Sequence, residues 1–174
     1  SKAYTKYLSG EETGIPSPSF QYADYSLWQE QNSSKEKLHL QSKFWTEELE
    51  GLPEQVSLPI DGKRQPTTDI EAKTFDFIID EEIYQKLKEI SQTHEASLHM
   101  VLQASLASLL TKLGAGNDLA IGTPIAGRSD EQLHDIVGLF INTVVLRTNT
   151  EGNPTFTELI ERVKSIICVH INIQ

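Results

Sequence analysis

The sequence predicts an α/β fold in which helices pack on a sheet, and three patterns carry that expectation. Apolar residues recur at helical spacing from Ile83 to Leu113, alternate with others around Phe75, Phe77 and Ile79, and fill both alternating faces of the run from Val137 to Arg147. At 174 residues and 38% hydrophobic content, the chain is long enough for one domain with a core. Asp and Glu number 25 against 15 Lys and Arg, a formal charge of −10, which argues against nonspecific binding to nucleic acid or to an anionic membrane. The single cysteine, Cys168, excludes a disulfide framework within the chain and suits a reducing compartment. No apolar run reaches the roughly 18–20 residues of a membrane span, and the opening SKAYTKYLSG lacks a signal peptide's apolar centre, so a cytoplasmic protein is expected.

Taken in order, residues 1–19 carry Gly10, Gly14, Pro16 and Pro18 and read as an exposed linker after a short helical turn at Tyr4 to Leu8. Phe20 to Gln31 reads as a short helix with Tyr22, Tyr25 and Trp28 on one face and a solvated Asp24 on another. Ser33 and Ser34 offer an N-cap for a helix marked by Leu38, Phe44, Trp45 and Leu49, which stops at Gly51-Leu52-Pro53 before a connector reaching Thr68. Thr74 to Ile79 has the period of a half-buried strand, and Asp80-Glu81-Glu82 opens a helix whose inner stripe is Ile83, Leu87 and Ile90. Ser97 caps the next helix, where Leu98, Val101, Leu102, Leu106, Leu109, Leu110 and Leu113 are expected to form the heart of the core. Gly114 and Gly116 follow that helix instead of opening one, which marks a helix stop and not a phosphate loop. Leu119 to Thr123 reads as a strand broken by Pro124. After a turn at Glu151 to Pro154, Phe156, Leu159, Ile160 and Val163 open a last helix, whereas Ser165 to Gln174 is poor in helix formers, which leaves open whether that segment is native.

The run from Val137 to Arg147 holds the main site candidate. Asn142 shares a strand face with Phe140, Val144 and Leu146, so the pattern places an amide among hydrophobes. Unpaired, a buried amide costs on the order of 1–3 kcal/mol. Either the fold supplies its hydrogen bonds, or Asn142 borders a cavity that water or substrate enters. Arg128, close to Asp130 and Glu131, reads as a structural ion pair more readily than as a catalyst. His39, His94, His99, His134 and His170 form no i, i+4 pair, so no metal site is expected. His134 reads as an exposed loop residue.

Three stretches in order carry a family resemblance: Tyr22-Ala23-Asp24-Tyr25-Ser26-Leu27-Trp28, Ile121-Gly122-Thr123-Pro124-Ile125-Ala126-Gly127-Arg128, and Gly138-Leu139-Phe140-Ile141-Asn142-Thr143 with Arg147 after it. They resemble successive core motifs of the condensation domains of non-ribosomal peptide synthetases, and the similarity runs from Tyr4 to Lys164. The resemblance implies part of a chloramphenicol acetyltransferase-like lobe with helices packed on a mixed sheet. Residues 1–70 would be linker and helices leading into the lobe, and 71–174 an incomplete carboxy-terminal lobe. It implies amide formation between an acyl or peptidyl thioester and an aminoacyl thioester, both tethered to phosphopantetheine on carrier domains, with no cofactor bound directly.

The family's HHxxxDG motif is absent from these residues, as are two motifs expected after the last helix, so the chain is expected to be an inactive middle fragment. Its expected partners are the remaining lobe, carrier domains and, through uncovered apolar surface, further copies of itself. By the same resemblance, Asn142 and His134 are substrate-channel candidates, with Ser129 to Asp135 forming a loop that floors the channel. Tyr22, Asp24, Trp28, Gly122, Pro124, Arg128, Gly138, Phe140 and Arg147 would be structural. A non-catalytic interaction module remains the reading from another class, and heterocyclising relatives, which differ mainly at HHxxxDG, remain open. Epimerising relatives differ where Gly138 to Thr143 stands, which favours condensation.

Overall fold

The computed structural model describes residues 2–10, 20–59, 73–128 and 130–172. Five helices come first: α1 (Lys2–Leu8), α2 (Tyr22–Asn32), α3 (Lys35–Glu48), α4 (Glu81–Thr93) and α5 (Leu98–Lys112). Strand β1 (Asp118–Ala126), a 3₁₀ turn at Glu131–Leu133, strand β2 (Ile141–Asn149) and helix α6 (Phe156–Asn172) follow. Several boundaries are set by local chemistry visible in the chain. Asp80 accepts the Ile83 N–H at 2.8 Å, Ser97 accepts that of Met100 at 3.2 Å, and Ser34 accepts that of Lys37 at 3.1 Å, each satisfying a donor that the first helical turn leaves without a partner. Gly114 and Gly116 take φ of 89° and 94°, the left-handed region that ends α5 without a Cβ clash.

Among the described residues the sheet is a pair, β1 beside β2, and it is antiparallel where a mixed sheet was expected. Thr150 N–H donates to the Asn117 carbonyl at one end of the pair, and Gly127 N–H donates to the Phe140 carbonyl at the other. These two bonds turn the odd-numbered backbone groups of β1 toward β2. Pro124 is an even position, so its missing donor faces the open edge and the strand runs through it. Residues 73–80 join no sheet, contrary to the expected strand at Thr74 to Ile79. The alternation is present in the sequence, but a strand needs a neighbour to pair with, and Phe75 and Ile78 stand 86% and 94% exposed.

The chain divides into two compact units, one of Ser1–His39 with Pro124–Asn142 and the other of Leu40–Thr123 with Thr143–Gln174. In the first unit Leu133, Ile136 and Phe140 are buried together, with Phe20, Tyr22 and Tyr25 packed on them. In the second unit Leu159, Ile160, Val163 and Ile167 give α6 its inner face, and Val144 and Leu146 are buried on β2. α6 continues to Asn172 through the stretch judged poor in helix formers, because burial of Ile167 and His170 outweighs weak propensity.

α5 also corrects the expected core. Its buried residues are Val101, Gln103, Ala104 and Ala107, while Leu102, Leu106, Leu109 and Leu113 are each 39% exposed or more. The small residues are the ones on the packed side, where they permit close approach. The leucines, at helical spacing, form an apolar ridge that stays half exposed among the described residues. The chain alone is therefore expected to self-associate through this ridge in sedimentation velocity. Replacing Leu106 and Leu109 together by Lys should restore a monomer, whereas a concentrated unsubstituted chain that sediments as a monomer would show the ridge to be inert.

Candidate functional site

Within the first unit, three sequence motifs meet as one interlocked cluster. α2 begins with a capping box in which Gln21 N–H donates to Asp24 Oδ2 at 2.7 Å, so Asp24 fastens the helix start and is not merely solvated. That fixes the direction of the aromatic face. The Tyr22 ring meets Phe140 edge-on with 5.3 Å between centroids, Tyr25 lies 4.9 Å from Phe140, and Trp28 stacks on Tyr25 at 6.0 Å. Trp28 is itself 58% exposed, so it extends the aromatic row outward. The Tyr22 hydroxyl donates to the Leu139 carbonyl at 2.8 Å, and a Cβ at Gly138 would overlap the Tyr22 ring. Gly138 is therefore the residue that lets the segment before β2 lie against α2.

Arg128 holds the loop that follows β1. Its Nη1 donates to the carbonyls of Leu133 and His134, and its Nη2 donates to the Ile136 carbonyl at 2.9 Å. The guanidinium also lies 4.0 Å from the centroid of the Phe140 ring. The expected ion pair with Asp130 or Glu131 is replaced by these contacts. Asp130 accepts the Gln132 N–H at 2.9 Å and starts the 3₁₀ turn, and Glu131 is exposed. Ser129 lies outside the described residues.

The second unit contains a different clamp, built on Arg147. Its Nε and Nη2 donate to both oxygens of Asp118, the shortest bond being 2.6 Å, and its Nη1 donates to the carbonyls of Glu48 and Glu50 at 2.7 and 2.9 Å. One side chain on β2 thus ties β1 to the carboxy-terminal end of α3. Hydrogen bonding from Arg147 holds the Asp118 carboxyl below the usual carboxylate range, against the opposing effect of partial burial. His170, 1% exposed, sits against the rings of Trp45 and Phe44 at 5.0 and 5.5 Å, and its Nε2 lies 3.4 Å from Glu48 Oε1. The periodicity of α6 continued through 163, 167 and 170 was the signal for that burial.

Asn142 departs from the burial its strand pattern suggested, and His134 takes the exposed loop position expected of it. Asn142 keeps the face of Phe140, Val144 and Leu146 but is exposed, so its amide is not buried among hydrophobes, and its neighbours Leu139 and Ile141 are exposed too. Residues 137–139 before β2 and 141–143 at its start are exposed, and Phe140 between them is buried under Tyr22 and Tyr25. His134 has an exposed side chain and takes part through its backbone, which donates to Glu131 and accepts from Arg128. A Cβ at Gly122 would make an ordinary 3.5 Å contact with Thr143, so side-chain space there does not demand glycine. Among the described residues no group of His, Cys, Asp and Glu could hold a metal ion. The cluster orders backbone and presents polar groups. Among the described residues it brings no nucleophile against a base.

A family model described as the condensation domain matches residues 1–170, and the chain belongs to that family. It is 44% identical over 169 residues to a dimodular nonribosomal peptide synthase of Bacillus subtilis (strain 168), covering 94% of this chain and 7% of that one. Among solved structures it resembles the X-domain in its complex with OxyB from teicoplanin biosynthesis, with TM-score 0.86 and 28% identity over 98% of this chain and 38% of that one. It also shares the fold of the first condensation domain of the CDA synthetase, with TM-score 0.74 and 19% identity over 98% of this chain and 37% of that one. The fold is that of part of a condensation domain, α/β with helices against a small antiparallel sheet.

Two measurements probe the two clamps. Gly138→Ala should lower stability by about 1–3 kcal/mol in urea titration. In a Tyr22→Leu background the same substitution should cost less, and equal costs in both backgrounds would mean that the Tyr22 ring is not what the Cβ meets. Because Asp118 is depressed in the folded chain, its contribution is full above the unfolded carboxylate value near pH 4 and is lost as pH falls through the folded one. Asp118→Asn should therefore be less stable at pH 7, with the gap to the unsubstituted chain closing below about pH 4. A gap independent of pH would show that Asp118 acts through shape alone.

Proposed function

We propose that this chain is a piece of a peptide-synthetase condensation domain whose whole joins two carrier-bound substrates. The amine of a carrier-bound aminoacyl group attacks the carbonyl carbon of a carrier-bound acyl or peptidyl thioester. The C–S bond breaks, the amide forms, and the proton lost by nitrogen is balanced by the thiol released on the donor's phosphopantetheine arm. Such a reaction needs the amine held against the carbonyl and a group to position it or accept its proton. The observation that carries the reading is the family match over residues 1–170 together with the packing of its three motifs into one cluster around Phe140.

In this reading the chain contributes shape. Asn142 offers an exposed amide to one wall of the channel, His134 and its loop form part of the floor, and the interlock of Tyr22, Gly138 and Arg128 keeps that floor in place. The partners are the rest of the domain and its acyl or peptidyl carriers, in the cytoplasm. No described helix is long and apolar enough to cross a membrane. A second reading, a docking module without chemistry, is favoured by the similarity to a domain solved in complex with OxyB. The two are separated with loaded carriers. The chain alone should give no condensed product, and a longer chain that carries this segment together with an HHxxxDG stretch should give it. Product from the chain alone, or none from the longer chain with correctly loaded carriers, would overturn the condensation reading.

A further inference from the structure

We propose that Arg128 is a positioning residue for amide formation, acting by holding the backbone of residues 130–136 and not by touching substrate. This rests on the condensation reading above. Three carbonyls, of Leu133, His134 and Ile136, converge on one guanidinium, and the Phe140 ring stands 4.0 Å from it. No carboxylate pairs with Arg128 among the described residues, so its role is to match several acceptors at once, which a planar fork does and an ammonium does not. The loop has two apolar anchors of its own, Leu133 and Ile136, buried at 7% and 4% exposure against Phe140. Glu131, Gln132, His134 and Asp135 are exposed. Polar side chains thus stand on a backbone that the 3₁₀ turn and the Asp130 cap shape locally and that one guanidinium draws together at three carbonyls.

Without the guanidinium, the apolar anchors keep the loop attached while its carbonyls turn to water, so the loop loosens but does not unfold. A floor displaced by about 1 Å is enough to lower the rate of a step that depends on orientation, by up to about a hundredfold. The loss expected from a misplaced floor is in the oriented step and so falls on kcat, with KM little changed.

The test uses the intact synthetase that contains this segment, with Arg128→Ala and Arg128→Lys. Two quantities are read: hydrogen exchange of the peptide covering 130–137, and kcat and KM for the carrier-bound acceptor. In Arg128→Ala, exchange should speed up about tenfold or more and kcat should fall about tenfold or more, with KM held within about twofold. Arg128→Lys should lie nearer to Ala than to the unsubstituted enzyme. Unchanged exchange overturns the proposal, and so does a loosened loop with full kcat. If the Ala variant is insoluble, the Lys variant decides by the same criteria. An unsubstituted synthetase that forms no amide defeats the condensation reading and the proposal together, whereas an active one with an equally active loosened variant defeats the proposal alone.

Discussion

Between Gly127 and Phe140 the backbone leaves the β1–β2 ladder, and its carbonyls need donors that neither a strand nor a regular helix supplies. The 3₁₀ turn supplies some from its own backbone, Leu133 N–H to Asp130, His134 N–H to Glu131 and Ile136 N–H to Leu133, and side chains with the Gly127 amide supply the rest. Arg128 serves Leu133, His134 and Ile136, Tyr22 serves Leu139, and Gly127 N–H serves Phe140. Much of the first unit follows from this requirement. α2 must present Tyr22 at a fixed angle, which explains the capping box at Gln21 and Asp24, and Gly138 must lack a side chain so that the ring can approach. Phe140 is the common wall, touched by Tyr22, Tyr25 and the guanidinium.

The second unit solves a related problem differently. The carbonyls of Glu48, which ends α3, and of Glu50 in the turn after it have no helical partners, and Arg147 reaches from β2 to take both while it grips Asp118. The same end of α3 supplies Phe44 and Trp45, which cover His170 on α6. At its other end α6 is started by Thr155 and Glu158, whose side chains exchange hydrogen bonds with each other's backbone N–H groups. The first of these lowers the Glu158 carboxyl below its usual range. In both units an arginine takes backbone carbonyls that any sequence would present, Arg128 those of the loop that follows it and Arg147 those of a segment far earlier in the chain.

Element ends were legible because their causes lie within a few residues. Asp80, Ser97 and Gly114 act on neighbours in the chain, so the caps and the stop after α5 read directly. The order of the three motifs was also legible, and it was enough to identify the family. What each motif residue does was not. Arg128 was expected to meet nearby acids, and its partners proved to be carbonyls that only the folded loop turns toward it.

Burial separates the two kinds of knowledge most clearly. The sequence by itself determined which positions share a face, because the periods of helix and strand are fixed by backbone geometry. It therefore placed Asn142 with Phe140 and Val144, and the leucines of α5 on one ridge. Only the tertiary structure decided which of those faces is covered, since covering depends on a neighbour that the pattern of one segment does not contain. Phe140 and Val144 are covered, whereas Asn142 and most of the ridge are open. At residues 73–80 the same limit is plainest: an alternating pattern needs a partner strand to become one.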